Sequence, residues 1–506
     1  MKRAIKKVLV ANRGEIAVRV IRTCRDLGLE SVAVYSDPDR TALHVRFATE
    51  AYHIGPASPK ESYLNIDKII DVAKRSGADA IHPGYGFLSE NPVFAEAVLA
   101  AGLIFIGPKA KSMEAMGTKT RARQVMSQAG VPVVPGLEEP VSDEKEARRI
   151  AQEIGYPIML KAVAGGGGKG MRKVDRDEDF ASMFRMAQSE ARNSFGNDEV
   201  YIEKFLNKPR HIEMQVLADM HGNVAAFVER ECSVQRRHQK VIEESPSPFV
   251  DPAMRQKMAE VAKMAARAVD YVGAGTIEFL VDSEKNFYFM EMNTRLQVEH
   301  PITEMVTGLD LVEEQIRIAE GHKLSAKDFT KEFTGWAMEA RLCAEDPSRD
   351  FVPTPGKVTH LRMPGGPYTR TDTGVYAGSE ITPDYDPMIA KLVAFGPTRD
   401  SARRRLDRAL MEFTLKGCTT NTMFLRRILA YEPFIVGDYD TGVIAKFFKD
   451  APAWYKDEHK TVALLGAAIF NFEKEKRLIA QISVKGSGFI PNQMSRWRST
   501  KATQSF

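Results

Sequence analysis

Residues 286–301 read NFYFMEMNTRLQVEHP, and the alternation in this stretch decides how the chain is built. Side chains along an extended strand point to opposite faces in turn. Taken as extended throughout, a working assumption since the chain can also bend after Asn293, the segment puts Glu291, Asn293, Arg295, Gln297 and Glu299 on one side, with Met292, Thr294, Leu296 and Val298 on the other. Five polar groups in such apolar company have to be paired or to bind something, because an unpaired buried charge is expensive. Just upstream, GTIEFLVD (residues 275–282) sets Glu278 inside a second apolar strand, and residues 283–286 make a short turn between the two. An antiparallel pair then brings Glu278 and Glu291 together, a like-charge contact that a divalent cation would relieve. Carboxylate and amide oxygens, without imidazole or thiolate, suit magnesium or manganese. The competing reading is a surface hairpin whose polar residues face water, and the density of the polar stripe argues against it.

Further upstream lies IMLKAVAGGGGKGMRKV (residues 158–174), with four consecutive glycines between two lysine-bearing apolar runs. Glycine inside an element costs ~0.5–1 kcal/mol relative to alanine, so the run reads as the tip of a hairpin where backbone must come close to something. One guest is a phosphate chain held by backbone N–H groups; the other reading is a flexible surface turn. On glycine alone the two are even, and Lys161 and Lys169 tilt the balance towards phosphate. The stretch is not a Walker A loop: Val163 stands where that pattern has its first glycine, and Gly170 replaces its Ser/Thr.

The flanking chain gives the frame. At 506 residues there is length for about three domains, and 43% hydrophobic with 27% charged residues is an ordinary globular composition. Alternating strand and helix patterns over the first hundred residues predict a parallel sheet with helices on its faces. In SENPVFAEAVLAAG (residues 89–102), Ser89 or Asn91 is the expected helix cap. Residues 119–335 switch to hairpins and longer helices, and 336–449 form a turn-rich third unit. From about residue 450 an amphipathic helix is expected around HKTVALLGAAIFNFEKEKR, followed by a polar end. Four scattered cysteines without a CxxC pair fit a reducing compartment and argue against both a disulfide framework and a zinc site. The basic start is cut short by Asn12 and Arg13, so no signal peptide is read. No apolar run approaches the ~20 residues of a membrane span, and the expected location is the cytoplasm. The net charge of +4 is uneven: residues 451–506 hold nine Lys/Arg against four Asp/Glu, leaving about −1 (4 − 5) elsewhere. No broad nucleic-acid surface follows. The arginine-rich run 399–413 reads as a solvated helix face with Ala402, Leu406, Leu410 and Phe413 as its apolar stripe.

Two further clusters stand out. ERECSVQRRHQKVIEESPS (residues 229–247) gathers Arg236, Arg237, His238 and Lys240 into a cationic patch for an anion, although a basic loop facing water is the commoner meaning of such a run. YIEKFLNKPRHIEMQV (residues 201–216) adds Glu203, Lys204 and His211, and a lone histidine is more often structural than functional.

The motifs NRGEIAVRVIR, HPGYGFLSEN, MGTKTRAR, KAVAGGGGKGM, ERECSVQRRHQKVIEESPS, EMNTRLQVEHPITEMVTG and ARLCAEDP occur in one order over roughly residues 1–449. Together they resemble the ATP-grasp enzymes and, within them, biotin carboxylase. The resemblance implies an α/β and α+β chain. Residues 1–117 would be a Rossmann-like parallel-sheet domain, 118–335 an ATP-grasp domain with a mobile glycine-rich lid at about 134–206, and 336–449 an α+β biotin carboxylase C-terminal domain. Residues 450–506 are then a basic tail, a candidate docking segment for a partner.

The resemblance also implies a ligase that carboxylates biotin with bicarbonate, through carboxyphosphate, at the expense of ATP. Lys119 and Lys161 would neutralise ATP phosphates under a lid carrying Gly167 and Gly168. Glu203, Lys204, Phe205 and Leu206 would meet the adenine, and His211 and His238 the nucleotide. Glu278 and Glu291, also ATP-facing, would hold two Mg2+ or Mn2+ ions with Asn293. Lys240, Arg295, Gln297 and the Val298 backbone would bind bicarbonate, Glu299 would be its base, and Arg341 would stabilise the biotin enolate. WAMEAR (residues 336–341) has glutamate where a carrier has its biotinylated lysine, so biotin is expected on a separate biotin carboxyl carrier protein. The carboxyltransferase of such a system would be a further partner. A homodimer is implied, without nucleic acid or membrane. The weighed alternatives are another ATP-grasp ligase acting on bicarbonate, such as half of a carbamoyl-phosphate synthetase, and a non-catalytic nucleotide-binding subunit. RLQVEHP together with QRRHQK argues against the first, and the presence of Arg295, Glu299 and Arg341 against the second.

Overall fold

The computed structural model describes residues 4–136, 141–162, 171–195, 199–324, 328–450 and 457–484. The chain forms two compact units, residues 1–449 and 450–506.

In the first unit, short apolar runs become β1 (Lys7–Val10), β2 (Glu30–Ser36), β3 (Glu50–Gly55), β4 (Ala80–His82) and β5 (Ile104–Phe105). They form a parallel sheet in the order β3-β2-β1-β4-β5, as the alternation predicts. The helix Gly14–Asp26 buries Ile16, Val20 and Cys24 against it. Asn91 is the cap of the helix Pro92–Ala100, its side chain accepting from the Phe94 amide.

The glycine run sits where a hairpin was expected. β6 (Ile158–Ala162) pairs antiparallel with β7 (Met171–Val174) and β8 (Val200–Lys204). Ile158, Leu160, Val174 and Ile202 pack against Ala147, Ala151, Phe180 and Phe184 from two helices. The tip with Gly167 and Gly168 lies outside the described residues.

The largest element is a nine-stranded sheet. It contains β9 (Arg210–Ala218), β10 (Val224–Ala226), β11 (Arg230–Arg236), β12 (Gln239–Ser245), β13 (Gly273–Val281), β14 (Phe287–Asn293) and β15 (Trp336–Cys343), continued by Met388–Gly396 and Thr369–Thr373. Its path is β14-β13-β9-β11-β12-β15 and then those two strands, with β10 on the side of β9. Ile242 of β12 faces Ala340 of β15, so one sheet runs without interruption across residues 335 and 336. The helix Pro252–Ala268 covers one face through Met258, Ala262 and Ala266, packed on Ile212, Met214 and Ile277. On the other face Leu217, Phe227, Ala274 and Leu296 share a core with Val8, Val10 and Val20 of the N-terminal sheet.

Three expectations change. The strand carrying the polar stripe ends at Asn293, because the Thr294 amide and hydroxyl donate to Glu90 at 2.9 and 3.2 Å instead of joining a ladder. The chain then turns into the helix His300–Thr307, so Arg295, Gln297 and Glu299 reach the site from a bend. The helix Arg399–Glu412 buries Ala402, Leu406 and Leu410 as expected, but Arg399 is no solvated charge: it grips both oxygens of Glu244 at 2.7 and 2.8 Å. In the second unit the helix Asp457–Val484 is not amphipathic. Val462, Leu464, Leu465, Ile469, Phe470 and Phe472, all exposed, ring its circumference with only small residues between them. Among the described residues no helix is long and apolar enough to cross a membrane.

Candidate active site

The site is assembled by register. β9 is buried at every position, and its period-two pattern sends His211, Glu213 and Gln215 to one face. Glu213 faces Glu278 on β13, which faces Glu291 on β14. Three carboxylates therefore stand in a row across three neighbouring strands, in a setting that disfavours charge.

Lys240, beside Gln235 in the β11–β12 hairpin, answers that row. Its ammonium donates to Glu213 at 2.6 Å, Glu278 at 2.8 Å, Glu299 at 2.6 Å and the Gln297 carbonyl at 3.3 Å. Fully buried Arg230 adds a second cation. It bonds Glu213, the Gln215 carbonyl at 2.7 Å, and the Thr276 and Thr303 hydroxyls at 3.0 Å each. Arg341 on β15 donates through Nε to Glu243 at 2.6 Å and through Nη2 to Glu299 at 2.9 Å.

These partners set the charge states. Burial pushes Glu299 up, but Lys240, Arg341 and Arg230 outweigh it and hold the carboxyl well below its ordinary value. Burial likewise acts on Glu278, and Lys240 with His211 (3.1 Å away) reverses it. Glu291 goes the other way, raised by burial and by Glu278 beside it, with Lys119 opposing. Burial weighs against the Lys240 charge, and its three carboxylates drive its pKa well up regardless. The result is an ionised base, Glu299, between two cations, next to Glu278, kept charged by Lys240 and His211, and Glu291, whose charge burial and Glu278 disfavour. A hard divalent ion is what carboxylate and amide oxygens accept, so Glu278, Glu291 and the Asn293 carbonyl fit magnesium. Buried Asn293 keeps a side-chain N–H without a partner.

The structure thus joins Lys240, Glu278, Gln297, Glu299 and Arg341 directly. Gln297 donates to Glu278 at 2.8 Å. Arg295 stands at the rim, donating to Glu90 at 2.8 Å and to the Asn293 carbonyl at 3.0 Å. The Val298 carbonyl accepts from buried Lys391 at 2.9 Å. His238 occupies the exposed hairpin tip with φ 66°. A second group surrounds the small sheet. Lys161 is ion-paired with Glu203, which also meets Arg123 at 3.3 Å. The Lys204 ammonium is tied to the Gly155 and Tyr156 carbonyls at 2.8 and 3.1 Å. The Phe205 amide donates to the Pro157 carbonyl at 3.0 Å, and Leu206 is half-buried beside it. Lys119 opens the helix Lys119–Gln128.

Six residues of the site escape the sequence reading: Glu90, Glu213, Arg230, Glu243, Glu339 and Lys391. Single charges inside apolar strands, such as Glu213 in HIEMQVLA and Lys391 in MIAKLVAFG, are the available signal. Glu339 enters that reading only as the glutamate of WAMEAR; it is fully buried in β15.

Comparison with known proteins agrees with this geometry. Three family profiles match in sequence: the biotin carboxylase N-terminal domain at residues 4–113, the ATP-binding domain of the carbamoyl-phosphate synthase L chain at 118–327, and the biotin carboxylase C-terminal domain at 339–446. Biotin carboxylase 1 of Bacillus subtilis is 52% identical over 438 residues, covering 86% of this chain and 97% of that one. The chain belongs to the biotin carboxylase family. A pyruvate carboxylase subunit from Methanothermobacter thermautotrophicus is likewise 52% identical, over 87% of this chain and 90% of its own. Among solved structures, the biotin carboxylase–ATP complex from Campylobacter jejuni matches with a TM-score of 0.82 at 45% identity, covering 88% of this chain and 99% of that one. The biotin carboxylase domain of a thermophilic 2-oxoglutarate carboxylase, bound to bicarbonate, matches with 0.84 at 44% identity, over 88% and 98%. The reaction of a biotin carboxylase is the ATP-dependent carboxylation of biotin.

Proposed function

We propose that the Lys240–Glu299–Arg341 contact is the centre at which this biotin carboxylase makes carboxyphosphate and passes its carboxyl group to biotin. The observation that carries the reading is Glu299 held between two cations, 2.6 Å from Lys240 and 2.9 Å from Arg341. So placed, Glu299 is ionised and takes the proton of bicarbonate as bicarbonate attacks the γ-phosphorus of ATP. Lys240, Arg295, Gln297 and the Val298 backbone hold the bicarbonate, and Lys391 fixes the Val298 peptide through its carbonyl. Lys119 and Lys161 meet the phosphates, with Glu203, Lys204, Phe205, Leu206, His211 and His238 around the nucleotide and Gly167 and Gly168 closing the lid. Glu278, Glu291 and Asn293 would hold Mg2+ or Mn2+, which would supply charge neutralisation for phosphoryl transfer, and we propose two ions.

Carboxyphosphate then divides into CO2 and phosphate. The phosphate takes the N1′ proton of biotin, Arg341 faces the enolate oxygen that develops, an interaction strongest when water is excluded, and N1′ then bonds to the CO2 carbon to give carboxybiotin. Biotin arrives on a separate carrier protein. A homodimeric assembly, a cytoplasmic location and a carboxyltransferase partner complete the proposal. Domain limits are proposed at residues 117/118, 335/336 and 449/450. The deciding experiment measures phosphate release and carboxybiotin formation in parallel, with ATP, magnesium, bicarbonate and free biotin each omitted in turn. Phosphate release without bicarbonate, or no carboxybiotin with all four present, overturns the reading.

A further inference from the structure

Behind Arg341 the structure holds a pair of acids that the reaction does not use. Glu339 and Arg341 lie two residues apart on β15 and so share a face. Across the sheet Glu339 is opposite Glu243 on β12, and Arg341 is opposite Lys391. Both glutamates are fully buried. One oxygen of Glu243 accepts from Arg341 Nε at 2.6 Å; its other oxygen, and both of Glu339, have no hydrogen-bond partner.

The strongest charges acting on Glu339 come from four groups. They are Arg341 on its own strand, Glu243 on β12, Lys391 on Met388–Gly396, and Glu299 ahead of the helix His300–Thr307. That helix packs on β15, and its His300 is kept neutral by burial and by Lys391, Arg19 and Arg370. Neither cation is free to serve Glu339. Lys391 is committed to the Val298 carbonyl and to Glu15 at 3.2 Å, and Arg341 to Glu243 and Glu299. Two facing carboxylates in a buried site cannot both be ions without a donor between them. Burial also pushes the Glu339 carboxyl well above its ordinary value, opposed by Lys391 and reinforced by Glu243.

We propose that Glu339 is a positioning residue for biotin carboxylation: a neutral carboxylic acid whose proton is shared with the free oxygen of Glu243. Glu243 thereby stays an anion with its other oxygen on Arg341 Nε, which aims the guanidinium at biotin. The proposal rests on Arg341 as the biotin-facing cation, but the protonation of Glu339 can be read without that assumption.

The test uses the full chain. Infrared spectra in D2O of the wild-type protein and Glu339→Gln are compared across the neutral pH range. A protonated-carboxyl stretch in the wild-type-minus-variant difference spectrum is expected. A difference spectrum without that band overturns the proposal even if every variant is inactive. Carboxybiotin formed per phosphate released is the second readout. Glu339→Gln keeps a donor and holds this ratio within about threefold, whereas Glu339→Met fills the space without one and lowers it about tenfold, with KM for ATP unmoved. A methionine variant that couples like the wild type, or a glutamine variant as uncoupled as methionine, overturns the positioning role. Should the methionine variant not fold, the spectra and the glutamine variant still decide.

Discussion

Arg341 and Glu299 share a hydrogen bond, Nη2 to Oε2 at 2.9 Å, while the other Glu299 oxygen is 2.6 Å from Lys240. The group assigned to bicarbonate and the group assigned to biotin are therefore direct neighbours, each holding the other in its charged state. Their losses should nonetheless differ in kind.

Glu299→Gln removes the base. Bicarbonate-dependent ATP cleavage and carboxybiotin formation should fall together, by ~10²–10⁴ in rate. Arg341→Gln leaves carboxyphosphate formation possible, so slow phosphate release should continue with little carboxybiotin. A wild-type ratio of the two products in Arg341→Gln would refute the division of roles. That result would leave the protonation of Glu339 as a separate question.

Lys240→Met tests the electrostatics. Glu299 is depressed in the folded protein, so its charge survives as pH falls and is lost only below the ordinary carboxylate range. Without Lys240 the first of its three cations is gone and burial acts against fewer opponents. The acid limb of bicarbonate-dependent ATP cleavage should move to higher pH, apart from any loss of rate. A pH–rate profile with an unmoved limb would show that Lys240 does not set the state of Glu299.

Glu291→Gln tests the carboxylate pair. With Glu278 left alone, the magnesium concentration for half-maximal rate should rise for every ATP-dependent activity alike. Unchanged magnesium dependence would remove Glu291 from the metal site.

Glu213→Ala should chiefly cost stability. Glu213 is the buried partner of both Arg230 and Lys240, and deleting one side of a buried ion pair costs about 3–5 kcal/mol. Urea unfolding followed by fluorescence measures the shift. A midpoint equal to that of the wild type would mean that the two cations are satisfied elsewhere.

Ending the chain at residue 449 should spare carboxylation of free biotin and weaken that of a biotinylated carrier. Residues 450–506 are a unit of their own, and Val462, Leu465, Ile469 and Phe470 are exposed apolar side chains on it. Equal loss of both activities, or of neither, would count against docking through the tail.

What the sequence made legible follows from how local each signal is. The Glu278–Glu291 pairing is a hairpin, and a hairpin register is written in two alternating runs and the turn between them. The parallel sheet, the Asn91 cap and the glycine hairpin are local in the same sense. Glu213, Arg230, Glu243 and Lys391 are not: the first three meet partners through pairing of separate strands, Lys391 meets Glu15 on a helix and the Val298 carbonyl in the bend, and β9 is uniformly buried, so no in-out alternation singles out one residue. The bend after Asn293 is left open for a related reason. A bend there is compatible with the sequence, but what fixes it is Glu90, 204 residues away from Thr294. The tail helix reads as amphipathic only if its apolar residues take one side, and their spacing does not require that.

The continuous sheet has a consequence for synthesis. β12 can pair with β15 only when Ala340 has been made, 98 residues after Ile242 (340 − 242). At ~5–20 residues per second the wait is about 5–20 s. Throughout it the nascent chain presents the open edge of β12, a template that other strands can join. A ribosome stalled near residue 335 would therefore hold out a half-finished sheet, and chaperone demand during translation should concentrate in that interval.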